Sequence, residues 1–175
     1  SYERFDGARS APLTWELWRR GRGVAILPYD PVADRVALIR QFRLPALAAG
    51  LDPVMTECAA GLLEAGEDPE AAGRRELAEE TGLVAGPMER IGRYMLMQGG
   101  CDEVMFYFAA RVALPAPEAV GTHGLAHEGE DTRVIVLSAG EAFALLDANA
   151  IENVTAAVCL YWLRQHRERL RRAWA

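Results

Sequence analysis

Residues 61–83 read GLLEAGEDPEAAGRRELAEETGL. Asp68 is placed to cap a helix, with Pro69 behind it at the first helical position. Ala71, Ala72, Leu77 and Ala78 favour the helix, and Gly82 closes it as the residue that accepts a left-handed backbone. Glu76 and Glu80 are then four residues apart, with Glu79 three from Glu76. Three carboxylates share one face, with neighbouring Cβ atoms about 5–6 Å apart. Glu67 lies just upstream, and Arg74 and Arg75 fall within the same helix.

Like charges at this spacing repel by a few tenths of a kcal/mol per pair when exposed. Arginines can offset that cost, and so can a divalent cation. Hard oxygen donors clustered on a rigid element suit Mg²⁺, and Mn²⁺ can take its place. Magnesium also binds substrate phosphates. The stretch therefore predicts a metal-assisted phosphoryl site on a helix. The competing reading is a solvated acidic face, and the spacing decides against it.

Working outward, Val54 to Ala60 reads as a short strand entering this segment, and residues 44–53 as a loop with Pro45, Gly50 and Pro53. VAILP from Val24 is a buried strand. Tyr29 to Arg35 forms a turn, and VALIRQF from Val36 completes a hairpin. Further upstream, Leu13, Trp15 and Leu17 alternate with Thr14, Glu16 and Trp18, a strand pattern, after an extended, polar stretch over residues 1–12. Downstream, Ile91 to Met97 and Val104 to Val112 are strands joined by QGGCDE. Residues 113–132 form a long loop, of a length usually tied to function. Arg133 to Leu137 is a strand, and Ser138 with Glu141 makes a capping box for a helix through Leu146. A longer helix runs from about Glu152 to about Arg171, with Val154, Val158, Tyr161 and Trp162 as an apolar stripe. The sum is α+β: a mixed sheet with flanking helices, preceded by an N-terminal β-hairpin region.

The 175 residues suggest one domain, 1–175, and 51% hydrophobic content supplies a sizeable core. A net charge of −6 speaks against a nucleic-acid surface. Cys58, Cys101 and Cys159 are odd in number and widely spaced, which fits a reducing cytoplasm and no disulfide framework. No apolar run is long enough to span a membrane. Of the histidines, only His123 and His127, in the long loop, are placed to act as a general base.

The central segment fits the pattern G-x5-E-x7-R-E-U-x-E-E-x-G-U, with U aliphatic, at Gly61, Glu67, Arg75, Glu76, Leu77, Glu79, Glu80, Gly82 and Leu83. It resembles the Nudix box. The flanking runs YDPVADRVALIRQFRLPA, ECAAG and GLAHEGEDTRVIVLS look like the ADP-ribose pyrophosphatase branch of the Nudix hydrolases. That resemblance implies an α/β/α sandwich and Mg²⁺-dependent hydrolysis of ADP-ribose to AMP and ribose 5-phosphate. GDP-mannose or another nucleoside diphosphate sugar is the alternative substrate. A non-catalytic nucleotide-sensing domain is the alternative of another class, and the complete box speaks against it.

The resemblance also implies roles. Glu76, Glu80 and the backbone carbonyl of Ala60 would hold metal. Glu79 would be a further ligand with a catalytic part, and Glu67 and Arg75 would support them. Glu128, or else Glu130, in HEGED would be the base. Arg43 would face the phosphates, Glu57 the nucleoside, and Trp15 would stack on adenine. A homodimer is implied, with the N-terminal strands at about 13–28 exchanged between subunits. Two departures stand out. Met97-Gln98-Gly99-Gly100 replaces a Ser-Pro-Gly-Gly run, and Ala59 replaces a proline. The first puts the sugar-side group in question; neither touches the metal ligands.

Overall fold

The computed structural model describes residues 1–116, 121–124 and 131–175. One sheet dominates it. The buried run predicted from Val24 becomes β1, Arg22–Asp30, with Gly23 through Asp30 buried. A turn leads into β2, Arg35–Phe42, and then α1, Leu44–Ala48. Next come β3, Val54–Glu57, and β4, Ala59–Leu62, followed by the box helix α2, Pro69–Thr81. The hairpin β5, Met88–Met95, and β6, Val104–Arg111, follows. A two-residue β7, Thr122–His123, precedes β8, Thr132–Ser138. Helices α3, Ala139–Asp147, and α4, Val154–Trp174, end the chain.

The sheet order is β5-β6-β1-β2-β8-β7, with β3 added on β2 and β4 on β1. β1 and β6 run parallel, and the other pairs are antiparallel. The mixed sheet is thus as expected. One apolar cluster joins Val24, Ile26, Phe106 and Phe108 of the sheet to Ala72 and Leu77 of α2. The other joins Ala25, Leu27, Leu38 and Tyr107 to Ala142 of α3 and Leu160 and Leu163 of α4. The alternation of strand side chains separates the two layers, and the result is the α/β/α sandwich.

β1 and β2 are registered only at their turn end, Tyr29 with Val36 and Asp30 with Arg35. Beyond that they part. β3 lies on β2, with Ile39 opposite Glu57, and β4 lies on β1, with Ala25 opposite Ala60. The expected single strand from Val54 to Ala60 is therefore two, broken at Cys58 where the chain crosses the opening. The sheet forks here, and the fork positions the site.

Two further expectations are corrected. Residues 44–53 are not all loop: Pro45 opens the short helix α1, where its fixed φ and missing N–H cost nothing. Leu13 to Trp18 form no strand. Trp18 makes an isolated bridge to Cys101, and Trp15 is 75% exposed. A strand needs a neighbouring edge, and among the described residues only Trp18 of this segment meets one.

The β1–β2 turn is tied to α4. Asp34 has φ 57°, and its carboxylate accepts from Tyr29 Oη at 2.8 Å and Arg167 Nε at 2.8 Å, with Arg167 Nη2 on its second oxygen. Its backbone carbonyl accepts from Ala139 N–H, which joins the turn to α3. Arg167 holds the Asp34 carboxyl below its ordinary pKa. Burial, then Asp34 itself, raises that of the Tyr29 phenol. A group whose folded pKa is depressed contributes stability above its unfolded value, and that contribution is lost as pH falls through the folded one. Asp34→Asn keeps a residue tolerant of positive φ and removes the charge. It is expected to cost about 1.5–3 kcal/mol at pH 7, with the gap to the parent closing below about pH 3.9. Urea midpoints at the two pH values check this, and a gap independent of pH would contradict it.

Candidate active site

The site begins at the open edge of β4. The N–H of Ala60 donates to Glu80 Oε2 at 2.8 Å. The N–H and C=O of one strand residue point to the same side, so the Ala60 carbonyl turns to that edge as well. Glu80 is 2% exposed, and its carboxylate is held against backbone. Gly61 follows. A Cβ there would stand 2.1 Å from the carboxylate carbon of Glu76. The glycine permits that approach, because a side chain there would displace the Glu76 carboxylate from the strand.

The box helix is capped as its residues predict. Asp68 accepts from the N–H groups of Glu70 and Ala71, and Gly82 ends the helix at φ 68°. Arg75 then gathers the acids. Its Nε donates to Glu67 at 3.1 Å, and its Nη1 donates to Glu76 at 2.8 Å and Glu79 at 3.1 Å. Its Nη2 reaches Glu67 and the carbonyl of Leu62. One planar guanidinium thus serves three carboxylates, a geometry that lysine cannot reproduce. Glu67 chiefly, with Glu76, raises the pKa of Arg75. Arg75, with the N–H of Glu64, lowers that of Glu67.

Among the described residues, no three acidic, histidine or cysteine side chains converge as a ready ligand cluster. The geometry shows why: Arg75 bridges Glu76 and Glu79, while Glu80 is turned onto Ala60. The donor set still fits a hard divalent cation. It offers carboxylate oxygens on a rigid helix, a backbone carbonyl at an open strand edge, and the Gly61 cradle that lets Glu76 approach.

Beside this edge lies a cavity of about 480 Å³, in the range that takes small ligands. Arg43, Glu57, Cys58, Ala60 and Gly61 line it on the fork side. Glu57 is buried and pairs with Arg43 through both oxygens, at 2.9 and 2.8 Å. The pairing fixes the plane of the Arg43 guanidinium. Arg20, Met105 and Thr155 line the far side. Glu103 lies there too, bonded to Arg20 at 2.7 Å, and Asp102 accepts from the N–H groups of Arg20 and Gly21. These ties hold the N-terminal segment to the β5–β6 loop.

The structure therefore brings Ala60, Glu76, Glu79, Glu80, Glu67 and Arg75 to one place, with Arg43 and Glu57 beside them. Trp15 is not brought there: it does not line the cavity and rests 6.3 Å, centroid to centroid, from Tyr2. Glu128 and Glu130 lie outside the described residues, as does His127. Arg20, Glu103 and Thr155 were missed. Each is polar and lies at an element boundary, and only the meeting of three distant segments shows that they line one cavity.

The NUDIX domain family model matches residues 19–157. The chain is 36% identical over 171 residues to an ADP-ribose pyrophosphatase of Escherichia coli strain K12, covering 98% of this chain and 81% of that one. It is 33% identical to an ADP-ribose pyrophosphatase of Haemophilus influenzae, with 97% and 79% covered. A GDP-mannose pyrophosphatase of Yersinia pestis is 31% identical, with 92% and 80% covered. A crystal structure of an ADP compounds hydrolase superimposes with a TM-score of 0.65 at 21% identity, over 87% of this chain and 74% of that one, and shares the fold. A complete box, assembled at the fork of the expected sandwich and matched across most of the chain, places this protein in the Nudix hydrolase family.

Proposed function

We propose that this protein hydrolyses the diphosphate of ADP-ribose, giving AMP and ribose 5-phosphate, with Mg²⁺ as its metal and Mn²⁺ as a substitute. The observation that carries the reading is the pairing of the carboxylate-lined β4 edge with a 480 Å³ cavity containing an oriented arginine. Similarity to two ADP-ribose pyrophosphatases over nearly the whole chain supports the substrate. The GDP-mannose pyrophosphatase relative supports a second reading with the same chemistry and a guanine nucleotide.

Glu76, Glu80 and the Ala60 carbonyl would hold the metal, with Glu79 as a further ligand. The bound ion supplies charge neutralisation of the diphosphate and acidifies water. Glu67 orients Arg75, and Arg75 sets the positions of Glu76 and Glu79. Arg43, steadied by Glu57, adds positive charge where negative charge grows in the transition state. Glu128, or else Glu130, takes the proton of the attacking water.

The chain is read as one domain that works as a homodimer in the cytoplasm, without nucleic-acid or membrane partners. The alternating Leu13, Trp15 and Leu17, all more than half exposed, support exchange of the N-terminal segment, with Trp15 serving a partner's nucleotide. Of the expected exchange, residues 22–28 pair within their own sheet and Trp18, Arg20 and Gly21 are tied to the β5–β6 loop of the same chain, so the segment left to reach across is 13–17. No described helix is long and apolar enough to cross a membrane.

Hydrolysis of ADP-ribose, GDP-mannose, NADH, diadenosine polyphosphate and a nucleoside triphosphate, with products resolved by chromatography, tests the proposal. ADP-ribose is expected to be preferred and to yield AMP. Preference for GDP-mannose would replace the adenine reading, and no turnover of any of the five would refute the hydrolytic one. Glu80→Gln retains an acceptor for Ala60 N–H but loses the charge. It is expected to cut kcat by about a hundredfold or more with Tm little changed. Near-parental turnover in the folded variant would remove Glu80 from the metal set.

A further inference from the structure

A second cavity, of about 560 Å³, lies on the β1–β6–β5 part of the sheet and shares no lining residue with the first. Arg22, Arg93, Tyr94, Met95, Val104 and Phe106 line it. The register explains the grouping. Arg22 of β1 is opposite Val104 of β6, and Met95 and Arg93 of β5 are opposite Val104 and Phe106. Cross-strand partners share a face, and steps of two keep it. These side chains therefore stand together on the α2 side of the sheet, where Phe106 joins the α2 cluster.

Two guanidiniums line the cavity, and a third lies over its Phe106 floor. Arg22 stacks over the Phe106 ring at 4.7 Å and Arg90 at 5.5 Å, which fixes two planar cations against an apolar floor. Arg93, opposite Phe106, is the other lining cation. All three are exposed, and none is paired with a carboxylate among the described residues. The nearby acids are engaged elsewhere: Glu89 of β5 with Arg169 and Glu103, just before β6, with Arg20. Arginine stays charged at every working pH. In a chain of net charge −6, this group of three arginines without a carboxylate partner among the described residues is a local exception. Guanidiniums match phosphate oxygens in geometry, and Met95, Val104 and Phe106 offer apolar wall for an organic group.

We propose that this cavity is a binding site for a phosphomonoester dianion, separate from the diphosphate-cleaving edge. Phosphate oxygens bridge Arg22 and Arg93, and Arg90, over the same Phe106 ring, adds its charge. The site needs no metal.

AMP, inorganic phosphate and adenosine serve as probes in calorimetric titrations of the full chain in excess EDTA, so that failure of the metal edge cannot count against the arginine cavity. AMP is expected to bind at one site per chain, inorganic phosphate more weakly, and adenosine not at all. Arg22→Ala and Arg93→Ala, on separate strands, should each weaken AMP by about tenfold or more, and one AMP site should persist in Arg43→Ala, where any AMP held at the fork cavity is removed. Added salt should also weaken AMP. Adenosine binding as tightly as AMP, undiminished affinity in both Arg22→Ala and Arg93→Ala, loss of binding in Arg43→Ala, or no binding of either phosphate compound would each overturn the proposal.

Discussion

Three glutamates, Glu67, Glu76 and Glu79, are held around one point, and Arg75 is the side chain that holds them there. It contacts Glu67, Glu76 and Glu79 at once, and the Leu62 carbonyl besides. Without it the repulsion along α2 would favour splayed carboxylates and a frayed helix. The box loop is bound by the same contact, because Glu67 lies before the helix and Leu62 at the end of β4. One guanidinium therefore couples strand, loop and helix, and it sets the positions of Glu67, Glu76 and Glu79.

That coupling works only because the sheet forks. β1 and β2 part after two residue pairs, and β3 and β4 line the two arms. Ala60 is left with a backbone edge that no described strand covers, and Glu80 takes its N–H. Gly61 then permits the close approach of Glu76. The same crossing sets Glu57 next to Cys58 and opposite Ile39, where it meets Arg43. Sandwich and site are thus one construction: the cavity is the space left where two arms of a sheet separate.

Much of this was legible in the residues. The caps at Asp68 and Ser138, the buried run from Val24 and the shared face of Glu76, Glu79 and Glu80 are local consequences of side-chain chemistry, and each is present. What was not legible depends on long-range placement. The break at Cys58 follows from which strand lies on which arm, and no local pattern encodes that. Leu13, Trp15 and Leu17 alternate as a strand should, yet alternation reports only a fitness for pairing, and the partner edge must come from elsewhere. Glu103 and Arg20 meet at the cavity across 83 residues of sequence, and a reading by neighbours could not join them. The arginines around Phe106 likewise appear as a group only once β1, β6 and β5 are aligned.

The central claim is that the β4 edge and the box helix together hold the catalytic cation. A crystal grown with Mn²⁺ and measured at the manganese absorption edge tests it most directly. The account predicts an anomalous peak within coordination distance of Glu76, Glu80 and the Ala60 carbonyl. A peak only at other carboxylates, with Arg75 still bridging Glu76 and Glu79 and the β4 edge bare, would contradict it.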